Sequence, residues 1–236
     1  MPVSRRIAFV CPRFPSRNTV GGAETLLKAL ALRAVRAGMQ VDFLTTCAKN
    51  HFTWENELPA GRRYIQGLDV RFFPVNRDRD IEAFLAAQER ICRSRTFSDS
   101  DERLWANNGI SSSALCSFLK ETGGSRYDRI VAGPYLFGLV REACMIYPDK
   151  TILLPCLHDE PFAKLNVTAE LFRAVHNRIF NSPPERELAQ RLYGLKDSDT
   201  SAIVGMGFAP LPSDPRAFAK EHGIKHPYLL YCGRRE

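Results

Sequence analysis

Residues Ile7 to Gly38 read IAFVC-PRFPSRNTV-GGAE-TLLKALALRAVRA-G. Ile7 to Cys11 is a short apolar run bounded by Pro12 and Arg13, which is the pattern of a buried strand. A polar loop follows, then Gly21-Gly22-Ala23-Glu24, then a helical pattern from Thr25 to Ala37 closed by Gly38. Strand, glycine turn and helix in that order open a doubly wound α/β domain, which holds ligands above the carboxyl ends of its strands. Adjacent glycines let the backbone take positive φ and let a ligand approach where a Cβ would stand. The first N–H groups of the helix have no partner inside it and suit an anion such as phosphate. The same residues also make an ordinary cap and tight turn, so the motif alone leaves both readings open.

Outward from this stretch the alternation continues. Val41 to Thr46 is a second strand, and it ends in Thr45-Thr46, where a nicotinamide-binding domain has an acidic residue for the ribose. The loop is not G-x-G-x-x-G either, so a dehydrogenase is not expected, and no P-loop occurs. Residues 48–66 read as polar and irregular, Leu68 to Phe73 as a third strand near an edge. Ile81, Phe84, Leu85, Gln88 and Ile91 share a helix face, Cys92 to Asn108 reads as a mobile loop, and Ser112 to Glu121 as a helix ended by Gly123-Gly124. Strands are expected at Asp128 to Gly133, Thr151 to Pro155, Arg178 to Asn181 and Ser201 to Val204. Helices are expected at Tyr135 to Ile146, Thr168 to Val175 and Ser182 to Tyr193, the last with a capping serine, proline at the first position, Glu185 in the first turn and a closing Gly194. Pro210, Pro212 and Pro215 then mark a linker. After it come a helix from Arg216 to His222 and an apolar strand, Tyr228 to Gly233, which reads as the first strand of a second domain.

Composition narrows the class. The 236 residues are 44% hydrophobic and 25% charged, ordinary values for a globular chain. No apolar run has the length of a membrane helix, and the run after Arg5-Arg6 is too short for a signal-peptide core. A cytoplasmic protein is expected. Seven cysteines with no C-x-x-C pair point to reduced thiols rather than a disulfide framework or zinc site. Of the net charge of +7, +6 falls in the first hundred residues. Scattered arginines without a nucleic-acid motif argue against a nucleic-acid partner. They fit an acidic substrate, peripheral contact with an anionic membrane surface at the inner face, or simple solvation.

Five stretches together resemble the family 4 glycosyltransferases: Arg6-Ile7-Ala8-Phe9-Val10, Gly21-Gly22-Ala23-Glu24, Leu153 to Pro161 with His158 inside it, Ile179-Phe180-Asn181-Ser182 and Tyr231-Cys232-Gly233-Arg234. The resemblance implies a GT-B fold, two Rossmann-like domains across a cleft. Residues 1–209 would be the acceptor-side domain, α/β with a mainly parallel sheet and helices on both faces. Residues 210–236 would be the linker and first strand of a donor-binding domain. It implies a retaining transfer from a nucleotide-sugar donor to a hydroxyl of a glycan or lipid-linked acceptor, with no metal and no cofactor. Gly21 and Gly22 would approach the donor diphosphate and acceptor. His158 would reach the transferred sugar, and Arg234 would contact phosphate. The family's donor-site lysine and paired glutamates have no counterpart before Glu236, so the chain alone is expected to be inactive.

Two other readings stand beside this one. The chain also reads as a binding or interaction module without catalysis. A metal-dependent GT-A transferase would use a D-x-D pair, and three occur: Asp78-Arg79-Asp80, Asp99-Ser100-Asp101 and Asp197-Ser198-Asp199. Asp80 precedes a helix, where capping is its ordinary role, and the other two read as polar turns. Asp159 and Glu160, beside His158, read as loop and capping groups rather than catalytic acids.

Overall fold

The computed structural model describes residues 5–15, 21–77, 79–94, 98–196, 200–205, 207, 213–229 and 231. It divides into two units, Met1–Gly205 and Met206–Glu236. The first unit is a Rossmann-like, doubly wound α/β domain. Among the described residues its eight strands are β1 (Arg6–Val10), β2 (Gln40–Thr46), β3 (Gly61–Ile65), β4 (Leu68–Phe73), β5 (Arg129–Ala132), β6 (Thr151–Leu153), β7 (Asn177–Phe180) and β8 (Ser201–Ile203). They lie in the order β3-β4-β2-β1-β5-β6-β7-β8. Every neighbouring pair is parallel except β3 with β4.

The helices are α1 (Gly22–Arg36), α2 (Ile81–Arg93), α3 (Asp99–Asn107), α4 (Ser113–Arg126), α5 (Gly138–Ile146), α6 (Asn166–Ala174), α7 (Pro183–Tyr193) and, in the second unit, α8 (Pro215–Glu221). Strand alternation divides the core between the two faces of the sheet. Phe9, Cys11, Phe43 and Val70 pack with Leu26, Leu27 and Ala31 of α1. Ala8, Val10, Leu44 and Ala132 pack with Leu115 and Leu119 of α4 and Leu139, Val140 and Ala143 of α5. Phe14 closes the first cluster edge-on to Phe43, with ring centroids 5.3 Å apart.

Four expectations are corrected. The stretch read as irregular contains β3, a hairpin partner of β4 whose side chains are mostly exposed and so carry no alternating apolar signal. The expected mobile loop contains α3, which is docked rather than loose. Its buried Glu102 accepts the backbone N–H of Val167 at 2.6 Å and the side-chain amide of Asn166 at 3.2 Å, capping α6 from outside. Trp105 stacks on Phe162 at 4.9 Å. Gly123 and Gly124 do not end α4, which continues to Arg126. They make room for the Tyr147 ring, since a Cβ on Gly123 would lie 2.9 Å from it. Leu85 is exposed, and the buried face of α2 is Phe84, Ala87 and Ile91. The cap of α7 is as expected. The Ser182 hydroxyl accepts from Glu185 N–H at 3.3 Å, and Gly194 takes the left-handed conformation at φ 63°. Of the expected strand at residues 228–233, Leu230, Cys232 and Gly233 lie outside the described residues, and Tyr228, Leu229 and Tyr231 are not in a strand.

A polar knot ties strand to helix on one face. The buried Asp42 carboxylate accepts from the Tyr127 hydroxyl at 2.7 Å, Arg126 Nε at 3.0 Å and Arg6 Nη2 at 3.2 Å. Burial alone would raise the pKa of this carboxyl. The three donors outweigh burial and hold it below its ordinary value. A depressed folded pKa contributes stability that is present above the unfolded-chain value and lost as pH falls through the folded one. Asp42→Asn is therefore expected to cost about 2–4 kcal/mol at neutral pH, since it leaves two guanidinium groups short of a partner. In urea melts the gap to the parent should shrink as pH drops below about 4. A gap independent of pH would exclude this role for Asp42.

Candidate functional site

The strand order reverses between β1 and β5: the chain runs outward through β2 and β4, then returns to the other side of β1. In open α/β sheets the ligand crevice lies outside the carboxyl ends of the strands at this point. The loops after β1 and β5 form its walls, and the loop after β6 is next along the same edge.

The first wall is built around a buried ion pair. Arg13 Nε donates to Glu24 Oε1 at 3.0 Å, its Nη2 donates to the same oxygen, and its Nη1 reaches the Lys49 carbonyl at 3.1 Å. The two side chains are only 8% and 5% exposed. Glu24 sits in the first turn of α1 and Gly21 is the N-cap. Contrary to the sequence expectation, neither glycine of the pair has positive φ; Gly21 is extended at φ −167°. Its requirement is spatial. A Cβ on Gly21 would lie 2.0 Å from a Glu24 carboxylate oxygen, and that carboxylate cannot swing away without abandoning Arg13. Gly22 is different: among the described residues no atom lies within 4 Å of where its Cβ would be. Its face is open. Cys11, at the end of β1, is fully buried, and burial followed by the nearby Glu24 charge drives its thiol pKa far up, so it is inert packing.

The second wall begins at Gly133, where a Cβ would strike the Leu154 carbonyl oxygen at 2.2 Å. Tyr135 follows, buried, with its hydroxyl donating to Glu160 Oε1 at 2.6 Å. That bond joins the loop after β5 to the loop after β6. The latter loop carries His158, whose side chain is exposed and whose carbonyl accepts from Glu160 N–H at 3.0 Å. On its other side the loop is held by Glu185, a buried carboxylate that accepts from Leu157 N–H at 2.7 Å and Asn181 N–H at 2.6 Å. Between these anchors Cys156 turns the chain at φ 52°. Burial pushes its thiol up to about 11. His158 is thus an accessible imidazole on a loop clamped at both ends.

The structure places Gly21, Gly22 and His158 on one edge of the sheet. Arg234 lies outside the described residues, as do Asp78 and the Asp197–Asp199 pair. Of the acidic pairs, Asp80 caps α2 by accepting from Ala83 N–H at 3.0 Å. Asp101 is in the first turn of α3 rather than a loop, and accepts from Arg90 Nε at 2.5 Å and from Ser98. Glu160 bonds Tyr135 rather than capping a helix, and Asp159 pairs with Lys164 on the surface at 3.5 Å. Among the described residues no cluster of His, Cys, Asp and Glu has the makings of a metal site, and no helix is long and apolar enough to cross a membrane. Sequence reasoning missed Arg13 and Tyr135, whose partners are set only by the tertiary fold. It placed Glu185 in the first turn of α7, three residues after the capping Ser182, but not its hold on Leu157. Comparison with known protein families and with curated proteins finds no match to this chain.

The contrast between the two glycines is testable. Gly21→Ala is expected to destabilise the domain by about 1–3 kcal/mol, the usual cost of forcing an atom into filled space. Gly22→Ala should stay within about 0.5 kcal/mol of the parent. Equal effects in urea denaturation would mean that Glu24 moves freely and the wall is not rigid.

Proposed function

We propose that this domain is the acceptor side of a retaining glycosyltransferase of GT-B type, which moves a sugar from a nucleotide-sugar donor to an acceptor hydroxyl. The observation that carries the reading is the open backbone at Gly22, at the crevice of the sheet, on the same edge as the exposed and clamped His158. The resemblance of the Gly21-Gly22-Ala23-Glu24 and Leu153–Pro161 stretches to family 4 supports it, and so does the Rossmann-like fold.

The chemistry follows from these parts. Free N–H groups at the start of α1 offer donors to a phosphate oxygen, and the absence of a side chain at Gly22 lets a diphosphate come close. The buried Arg13–Glu24 pair carries no net charge, so Glu24 is not an uncompensated anion facing the ligand. As the glycosidic bond to the departing phosphate lengthens, positive charge develops at the anomeric carbon and negative charge on the phosphate. The imidazole of His158 would hydrogen-bond a hydroxyl of the transferred sugar and steady it as that charge grows. The departing phosphate takes the proton of the incoming acceptor hydroxyl on the same face, which retains configuration and needs no pair of protein carboxylates. In this division of labour the donor nucleotide is held chiefly by the second domain, and Arg234 would contact its phosphate.

In the whole encoded protein, assayed with a panel of labelled nucleotide sugars, Gly22→Val should lower transfer about 10- to 100-fold, because a side chain there displaces the diphosphate. The melting midpoint should move by no more than about 2 °C. His158→Ala should lower kcat more than it raises KM. Full transfer by the Gly22→Val protein would reduce the loop to a cap. Submicromolar binding of a nucleotide sugar by residues 1–236 alone would contradict the division of labour.

A further inference from the structure

A second feature of the same sheet edge is independent of the glycine loop and of the transferase reading. Four loops converge on one indole. Trp54, from the loop after β2, is 1% exposed and has its backbone in the left-handed region at φ 61°. Phe137, from the loop after β5, meets it edge-on at 5.5 Å. The Arg13 guanidinium, from the loop after β1, lies 6.0 Å from its ring, and that of Arg79, from the loop after β4, lies 5.3 Å from it. A bulky residue at positive φ costs about 1–3 kcal/mol, so the surroundings must hold it there. Arg79 N–H donates to the Thr53 carbonyl at 2.8 Å and is one of those restraints.

The two arginines differ in their charge balance. Arg13 is neutralised by Glu24. Arg79 has no acidic partner among the described residues. Its guanidinium also lies 3.7 Å from the Phe84 ring, and its Nε donates to the Asn108 carbonyl at 3.1 Å. Burial brings its pKa down to about 10, an unusually large fall for an arginine. Asp80, next in sequence, is spent on capping α2. The Nη groups of Arg79 have no hydrogen-bond partner among the described residues, yet neither is a buried unsatisfied atom. They reach the surface. Nearby, Trp54 Nε1–H is buried without a partner among the described residues.

Capping the end of α3 accounts for one nitrogen of Arg79 and for no more. A planar guanidinium gripped by two aromatic rings, with Nε engaged and its outer edge open, is preorganised to receive two oxygens of an anion. The rings remove competing water and leave few rotamers to freeze on binding. The geometry points to Arg79 as the anchor of an oxyanion-binding site on this edge, for a phosphate or carboxylate group of a ligand, with Trp54 beneath as its platform.

The chain has two tryptophans, so Trp105→Phe leaves Trp54 as the sole indole reporter. Titrating that protein at constant ionic strength with inorganic phosphate, and separately with acetate, should give a saturable change in Trp54 emission. Saturation by phosphate alone assigns the site to a phosphate group, and saturation by acetate alone or with equal strength to a carboxylate. Arg79→Gln should weaken the response at least 10-fold, and Arg79→Lys should recover only part of it, because the charge returns without the fork. The parent protein gives a check that needs no variant: the effective anion should slow modification of Arg79 by phenylglyoxal at least 5-fold, as mapped by mass spectrometry. No saturable response to either anion, an undiminished response in Arg79→Gln, or unprotected Arg79 would each overturn the site. None of these outcomes depends on sugar transfer, so a failed transferase reading leaves the test intact.

Discussion

The glycine loop is shaped by a single buried ion pair. Arg13 comes from the loop after β1 and Glu24 from the first turn of α1, and both are almost wholly withdrawn from water. Removing either partner would strand a charge in the interior, at a cost of about 3–5 kcal/mol. The pair therefore fixes how the first helix leaves the first strand. It also reaches the loop after β2 through the Lys49 carbonyl, and its carboxylate fills the space a side chain at Gly21 would need. The glycine pair divides into one residue pinned by packing and one left open. Only the second can face a ligand.

Rigidity is the common theme along this edge. Glu185 holds the loop after β6 from one side and the Tyr135–Glu160 bond from the other, so His158 projects from a segment with little freedom. These anchors are buried polar groups whose partners are backbone N–H or a neighbouring side chain, and they rigidify because each is satisfied. A site on loops gains precision only when the loops are held in this way. A groove of about 690 Å³ lies between α4 and α5 and is open beside the exposed Met145; its Cys116 thiol is pushed up to about 11 by burial and the adjacent Glu142.

Much of the fold was legible because it rests on local rules. Apolar runs at Ile7, Val41, Ile130 and Ile152, helices between them, and the Ser182–Gly194 cap pair all carry short-range signals. What escaped was set by tertiary context. Strand β3 is an exposed edge whose Gly-Arg-Arg-Tyr-Ile sequence has no buried face. Helix α3 is mostly charged and polar because its docking relies on one glutamate and one tryptophan rather than an apolar stripe. Gly123 and Gly124 look like a stop, yet serve as a seat for Tyr147, which sits more than twenty residues away. Gly22 and His158, the residues proposed for the site, were legible as motif residues. The positive φ expected of the glycine pair was absent because Glu24, not the backbone, makes the demand. The partners of Arg13, Tyr135 and Arg79 belong to loops far apart in sequence, and no spacing rule brings them together.

The central claim is that ligands bind across the strand ends at the β1/β5 crevice. Amide shift mapping by NMR, with the chain titrated in turn with nucleotide sugars and with glycan or lipid-phosphate acceptors, tests it most directly. Shifts concentrated on Gly21 to Ala23, Tyr135 to Phe137 and Leu157 to Asp159 are the predicted result. Shifts concentrated in the groove between α4 and α5, with the glycine loop silent, would contradict it.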